Sequence, residues 1–183
     1  GWIVLGYLIL NLLYSITLKR VVILDVMTIA AGFVLRVMAG AEIVAVYPSS
    51  WLIICTILLS LFLAFSKRRH ELVLLTDRAD NHRPVLKHYS SYFLDQMIAV
   101  VTAATVISYM LYTESEDTVQ FFGTRHLVWT VPFVLYGIFR YLYLMHQKEE
   151  SGDPLEAVFG DIPMLVNVFL WVVTCIAIIY FYG

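Results

Sequence analysis

Apolar residues fall into six long runs, near 2–18, 21–44, 50–66, 91–112, 126–146 and 163–182, divided by short polar stretches. A helix that crosses a bilayer needs about 20 mostly apolar residues, within a range of about 17–25. None of the runs alternates apolar and polar positions as the strands of an outer-membrane barrel do. Lipid cannot satisfy an open backbone, so spans of this kind must be helical. The pattern predicts an all-α, polytopic transmembrane helical bundle with six spans. It forms a single membrane domain over 1–183, with 67–90 as the long loop between the third and fourth spans.

The cations give the spans a direction. Lys19 and Arg20 follow the first span, and Lys67, Arg68, Arg69, Arg78, Arg83 and Lys87 follow the third. Lys148 follows the fifth, with Arg140 a little over a turn before the end of that helix. The alternate connections hold "AVYP" (45–48) and "TESEDTVQFFGTR" (113–125), whose only cation is Arg125. By the positive-inside rule the basic connections are cytoplasmic. Both termini are then expected outside, in a multi-pass protein of the cell's inner (plasma) membrane.

Composition agrees with this class and removes others. The chain of 183 residues is 61% hydrophobic and 14% charged, with a mean hydropathy of +0.81, whereas soluble domains are about 25% charged. A net charge of −2 argues against a nucleic-acid partner. Cys55 and Cys175 both lie inside apolar runs and read as small buried hydrophobes rather than a disulfide or metal site. The opening "GWIVLGY" has neither Met nor a charged leader, which predicts a fragment that has lost an N-terminal part.

Orientation does not account for every charge. Asp25 stands about one turn into the second span and Arg36 three turns further on, each costing about 2.5–3.5 kcal/mol in bare lipid. Asp25, Gly32 and Arg36 share a helical face, and Gly32, Arg36 and Gly40 recur at every fourth position, a groove that another helix can approach. A neighbouring span could pair with either charge. At the basic edge, Tyr14, Lys19, Arg20 and Asp25 are expected at the same depth as "KRRHE" (67–71). Cations beside carboxylates suit a phosphate or diphosphate. Carboxylate oxygens take Mg²⁺, which bridges to phosphate, and Lys and Arg clamp the remaining charge. The same cations could instead reach for lipid head groups. In "HRPVLKHYSSYFL" (82–94), Arg83, Lys87 and Tyr89 could belong to a lid or to a surface segment. His70, His82 and His88 have no metal-ligand spacing and read as solvated.

"NLLYSITLKR" (11–20), with Tyr14 leading to Lys19 and Arg20, resembles the UbiA superfamily of intramembrane prenyltransferases. "DVMTIAAGFVLRVMAG" (25–40), "SKRRHEL" (66–72), "RPVLKHYSSYFLDQM" (83–97) and "FRYLYLMHQKEESGDPLEAVFGDIPM" (139–164) resemble its decaprenyl-phosphate phosphoribosyltransferase branch. The resemblance covers essentially the whole chain. It implies a nine-helix bundle, of which six spans are present here, with a cavity open to the cytoplasm. The implied reaction transfers 5-phosphoribose from phosphoribosyl diphosphate to a polyprenyl phosphate, with Mg²⁺ assisting, on the path to cell-wall arabinan precursors. The partners implied are those two substrates and membrane lipid, and a second copy of the chain is left open.

Two departures from the superfamily pattern stand out. The first aspartate-rich motif is absent, and Lys67-Arg68-x-x-Glu71 replaces the paired aspartates of the second. The expected roles are Asp25 and Glu71 as catalytic groups that orient cations or bind hydroxyls or metal, with no metal ligands assigned. Tyr14, Lys19, Arg36, Lys67, Arg68, Arg83 and Lys87 are the expected substrate-binding groups. Alternatives are an aromatic prenyltransferase of quinone or haem synthesis, and a transporter or membrane scaffold. The first would favour paired aspartates after the third span and the transporter an inverted repeat; neither is found in the sequence.

Overall fold

The runs fold as helices in a computed structural model that describes residues 2–76, 86, 88–147 and 159–183. Seven α-helices result, and no strand occurs among the described residues. They are α1 (Trp2–Ile16), α2 (Leu24–Ile43), α3 (Ser50–Thr76), α4 (Ser91–Glu114), α5 (Glu116–Phe122), α6 (Val131–Gln147) and α7 (Ile162–Tyr182). Short 3₁₀ turns lie at Leu18–Arg20 and His126–Thr130. Among the described residues, five helical stretches have the length and hydropathy to cross a membrane: Leu24–Ile43, Ser50–Val73, Ser91–Glu114, His126–His146 and Ile162–Tyr182. The first expected span is shorter. α1 has 15 residues, about 22 Å at 1.5 Å per residue, against a hydrocarbon core of about 30 Å.

α3 departs from expectation in the other direction. It continues past Ser66 through Lys67–Glu71 to Thr76, 27 residues in all, so the first part of the expected 67–90 loop is helix. Lys, Arg, Glu and Leu are all strong helix formers, and neither Gly nor Pro occurs between Ser66 and Thr76. The chain has no local reason to stop where hydropathy falls.

Backbone contacts divide the chain into two units, Gly1–Thr102 and Ala103–Gly183. In the first, α2 packs against both α1 and α3. Its core includes Val26, Ala30, Phe62, Phe65, Leu94 and Ile98, all buried. Between α1 and α2 the chain turns sharply. Ile23 has φ +69° and ψ −44°, and the amide of Leu24 donates to the carbonyl of Val22 at 2.8 Å. This is a γ-turn of the rare, strained hand, and a β-branched residue at positive φ is an outlier.

In the second unit, α6 packs on α7. Asp161 caps α7 by accepting from the Met164 amide at 3.0 Å, and its carboxylate takes Nε and Nη2 of Arg140 at 3.0 and 2.8 Å. Arg140, in the sequence part of the basic edge, is thus engaged by the cap of the next helix. A part-buried polar link joins Trp171 Nε1 to the Tyr109 hydroxyl at 3.1 Å, and that hydroxyl to Thr130 Oγ1 at 2.7 Å.

Candidate functional site

Four of the expected site residues meet in the first unit. Asp25 enters α2 in its first turn, where the helix N-terminus favours a carboxylate. Arg68 stands five turns into α3 and reaches across to it: Nε donates to Asp25 Oδ2 at 2.8 Å. Nη1 of Arg68 donates to Glu71 Oε2 at 2.6 Å, three residues further along the same helix. Nη2 approaches the Tyr14 hydroxyl of α1 at 3.4 Å, a long contact. Arg68 is 2% exposed and Asp25 0%, whereas the Glu71 side chain keeps 25% of its surface. One guanidinium is thus held by two carboxylates, and the excess negative charge sits on the more open of them.

Tyr89, just before α4, completes the cluster; the sequence offers it only as part of a lid or surface segment, not as a site residue. Its hydroxyl donates to Asp25 Oδ1 at 2.7 Å and accepts from the Ile23 amide at 2.7 Å. Both oxygens of Asp25 are therefore taken, one by Arg68 and one by Tyr89. Burial pushes the Tyr89 hydroxyl well above its ordinary pKa. The Ile23 amide opposes that rise, and the hydrogen bond to Asp25, with that carboxylate's charge, adds to it. Tyr89 also stacks on Phe93, ring centres 5.9 Å apart. No spacing rule points to Tyr89, because its partners lie 64 and 66 residues away.

The other expected residues take different places. Lys19 lies in the 3₁₀ turn Leu18–Arg20 and is partly buried. Lys67 precedes Arg68 on α3 with its side chain exposed. Arg36 shares α2 with Asp25 but not its partners: its Nη2 donates to the Tyr7 hydroxyl of α1. Its guanidinium also lies 5.1 Å from the ring centres of Tyr7 and Phe33. A cavity of about 110 Å³ between α1 and α2 has Tyr7, Asn11, Tyr14, Thr28 and Arg36 in its lining. Tyr14 is thus shared between this cavity and the Arg68 cluster. Arg83 and Lys87 lie outside the described residues.

Two neighbours were also missed. Arg69 Nε donates to Asp95 Oδ1, tying α3 to α4. His70, read as solvated, instead has a buried Nε2 with no hydrogen-bond partner. The extension of α3 explains the error: His70 sits on a helix wall rather than in an open loop.

For Mg²⁺, which the resemblance implied, the described residues offer no ligand set. No three His, Cys, Asp or Glu side chains converge among the described residues, and the carboxylates of Asp25 and Glu71 are engaged by Arg68. What the cluster can do is hold a guanidinium rigidly against a partly open carboxylate, near the segments that carry Lys19 and Lys67.

No family model matches the chain. Curated relatives do. A decaprenyl-phosphate phosphoribosyltransferase of Mycolicibacterium smegmatis is 28% identical over 182 residues, covering 96% of this chain and 57% of that protein. That of Corynebacterium glutamicum is 27% identical over 179 residues, covering 95% and 52%. That of Mycobacterium tuberculosis is 25% identical over 175 residues, covering 96% and 57%. The chain spans a little over half the length of these relatives. The chain is thus similar to these decaprenyl-phosphate phosphoribosyltransferases over nearly its whole length.

Proposed function

We propose that this chain is the greater part of a membrane phosphoribosyltransferase that moves 5-phosphoribose from phosphoribosyl diphosphate to a polyprenyl phosphate. The similarity to relatives bearing that activity in their names supports the reading. Among the structural observations, the one that carries it is Arg68 held by Asp25 and Glu71, close in sequence to exposed or partly buried lysines.

In the proposed reaction an oxygen of the lipid phosphate bonds to the anomeric carbon as the bond from that carbon to diphosphate breaks. The electron pair leaves with diphosphate, and no proton need move. Positive charge builds on the ribose ring and negative charge on the leaving group, so preorganised charge is the main lever. Lys19 and Lys67 are assigned to the phosphate oxygens in this reading. Arg68, bonded to both carboxylates, holds Glu71 in a fixed position from which its open edge reaches ribose hydroxyls or the developing ring cation. Asp25 anchors Arg68. Tyr14 borders both the cluster and the small cavity towards Arg36, a route for the acceptor's head. We further propose that this edge faces the cytoplasm and that the product enters cell-wall arabinan precursor synthesis.

The test is transfer itself. Full-length protein in lipid nanodiscs, given labelled phosphoribosyl diphosphate and decaprenyl phosphate, is expected to yield a lipid-linked phosphoribose and free diphosphate. Failure to form it, together with prenylation of an aromatic acceptor from a prenyl diphosphate, would establish the aromatic prenyltransferase alternative.

A further inference from the structure

Asp25 can hold Arg68 only if the turn before α2 keeps its shape, and that shape is unfavourable. Ile23 at φ +69° is a conformation that L residues with branched side chains rarely adopt, and positions of this kind persist only where their surroundings over-determine them. The amide of Ile23 is also not used within the helix. Both demands are met by one atom. The Tyr89 hydroxyl accepts from the Ile23 amide at 2.7 Å and donates to Asp25 Oδ1 at 2.7 Å. It bridges the strained residue and the carboxylate two positions on, while Asp25 Oδ2 faces Arg68. Tyr89 is 6% exposed, so water does not readily stand in for it.

We propose that Tyr89 is a positioning residue for ribosyl transfer: by bridging the Ile23 amide and Asp25, it sets Asp25 against Arg68 and thereby fixes Glu71. The inference rests on the phosphoribosyltransferase reading above. Tyr89 touches no reacting group. It acts through Asp25, so its effect must vanish when Asp25 can no longer hold Arg68.

The experiment is a double-mutant cycle on full-length protein in nanodiscs, with kcat and KM for phosphoribosyl diphosphate measured separately. Tyr89→Phe keeps the ring and its stacking on Phe93 and removes only the hydroxyl. It is expected to lower kcat about tenfold with KM within twofold. In an Asp25→Asn background the same change is expected to cost less than twofold, because groups acting as a unit are non-additive. Tyr92→Phe, 76% exposed, is expected to leave activity unchanged. A folded Tyr89→Phe protein within twofold of wild type overturns the inference alone, as does an equal loss in both backgrounds. No transfer by wild type overturns the underlying reading, and the inference with it. Should Tyr89→Phe not yield folded protein, Ile23→Gly is added, because Gly takes positive φ without penalty. Recovery of folded protein supports the bridge, and continued failure overturns it.

Discussion

Arg68 Nε donates to Asp25 Oδ2 at 2.8 Å across 43 residues of sequence, with both side chains essentially out of solvent. Removing one partner of a buried pair strands the other charge, at about 3–5 kcal/mol, whereas replacing both is often close to neutral. Arg68→Met is therefore expected to destabilise the protein by about that amount. Asp25→Asn added to it should restore a large part. Unfolding in mixed micelles, single against double variant, measures this. A double variant no more stable than Arg68→Met would mean that Asp25 is not what Arg68 neutralises.

Lys67 and Arg68 are adjacent yet should behave differently. Lys67 is exposed, so Lys67→Gln is expected to insert and unfold like wild type. If it meets a substrate phosphate, the lost charge-assisted bond is worth roughly 1.5–3 kcal/mol, about 10–150-fold in kcat/KM. Arg68→Gln should lose stability as well as activity. Insertion, unfolding and transfer measured on the same samples separate the two. Full activity in Lys67→Gln removes it from the site.

Asp161 both caps α7 and holds Arg140. Losing an N-cap side chain costs about 0.5–2 kcal/mol, and Asn caps about as well as Asp. Asp161→Ala should accordingly lower the melting temperature measurably. Asp161→Asn should lower it less, since the cap to Met164 survives while the charge partner of Arg140 does not. Equal losses would show that the ion pair, not the cap, carries the effect.

Tyr89 makes a prediction about pH. Its hydroxyl is raised above the ordinary value, by burial first and by the bond to Asp25 next. A raised folded-state value means that the contribution is complete below the unfolded value, about 10 for tyrosine. It is lost as pH rises through the higher folded value. The difference in stability between wild type and Tyr89→Phe should therefore be flat from pH 6 to 9 and shrink only above about pH 10. A difference that changes between pH 6 and 9 would assign the titration to another group.

The proposed orientation is open to labelling. In a background with Cys55 and Cys175 replaced by Ala, Lys67→Cys should react with a membrane-impermeant maleimide only from the cytoplasmic side. Tyr47→Cys, at a position 98% exposed between α2 and α3, should react only from outside. The reverse pattern inverts the topology and moves the site to the other face.

Helix class and the approximate bounds of five spans were legible in the chain because they depend on local quantities. Hydropathy over about 20 residues decides whether a segment enters lipid, and lipid leaves its backbone one solution. The ionisable residues at the edge of those spans were legible for the same reason: each is costly where it stands, whatever its partner. Which partner it takes is not a local property. Asp25 and Arg36 share one face of α2, yet the first pairs with Arg68 of α3 and the second with Tyr7 of α1. Only the packing of α2 between those two helices separates them. The end of α3 was misread because hydropathy falls at Ser66 while helix propensity does not. The continuing helix then placed Arg68 inward, Lys67 outward and His70 Nε2 in a buried position. The bridging role of Tyr89 was invisible in sequence because a tyrosine becomes a bridge only when a strained amide and a carboxylate are brought to one oxygen, and chain packing across more than sixty residues does that.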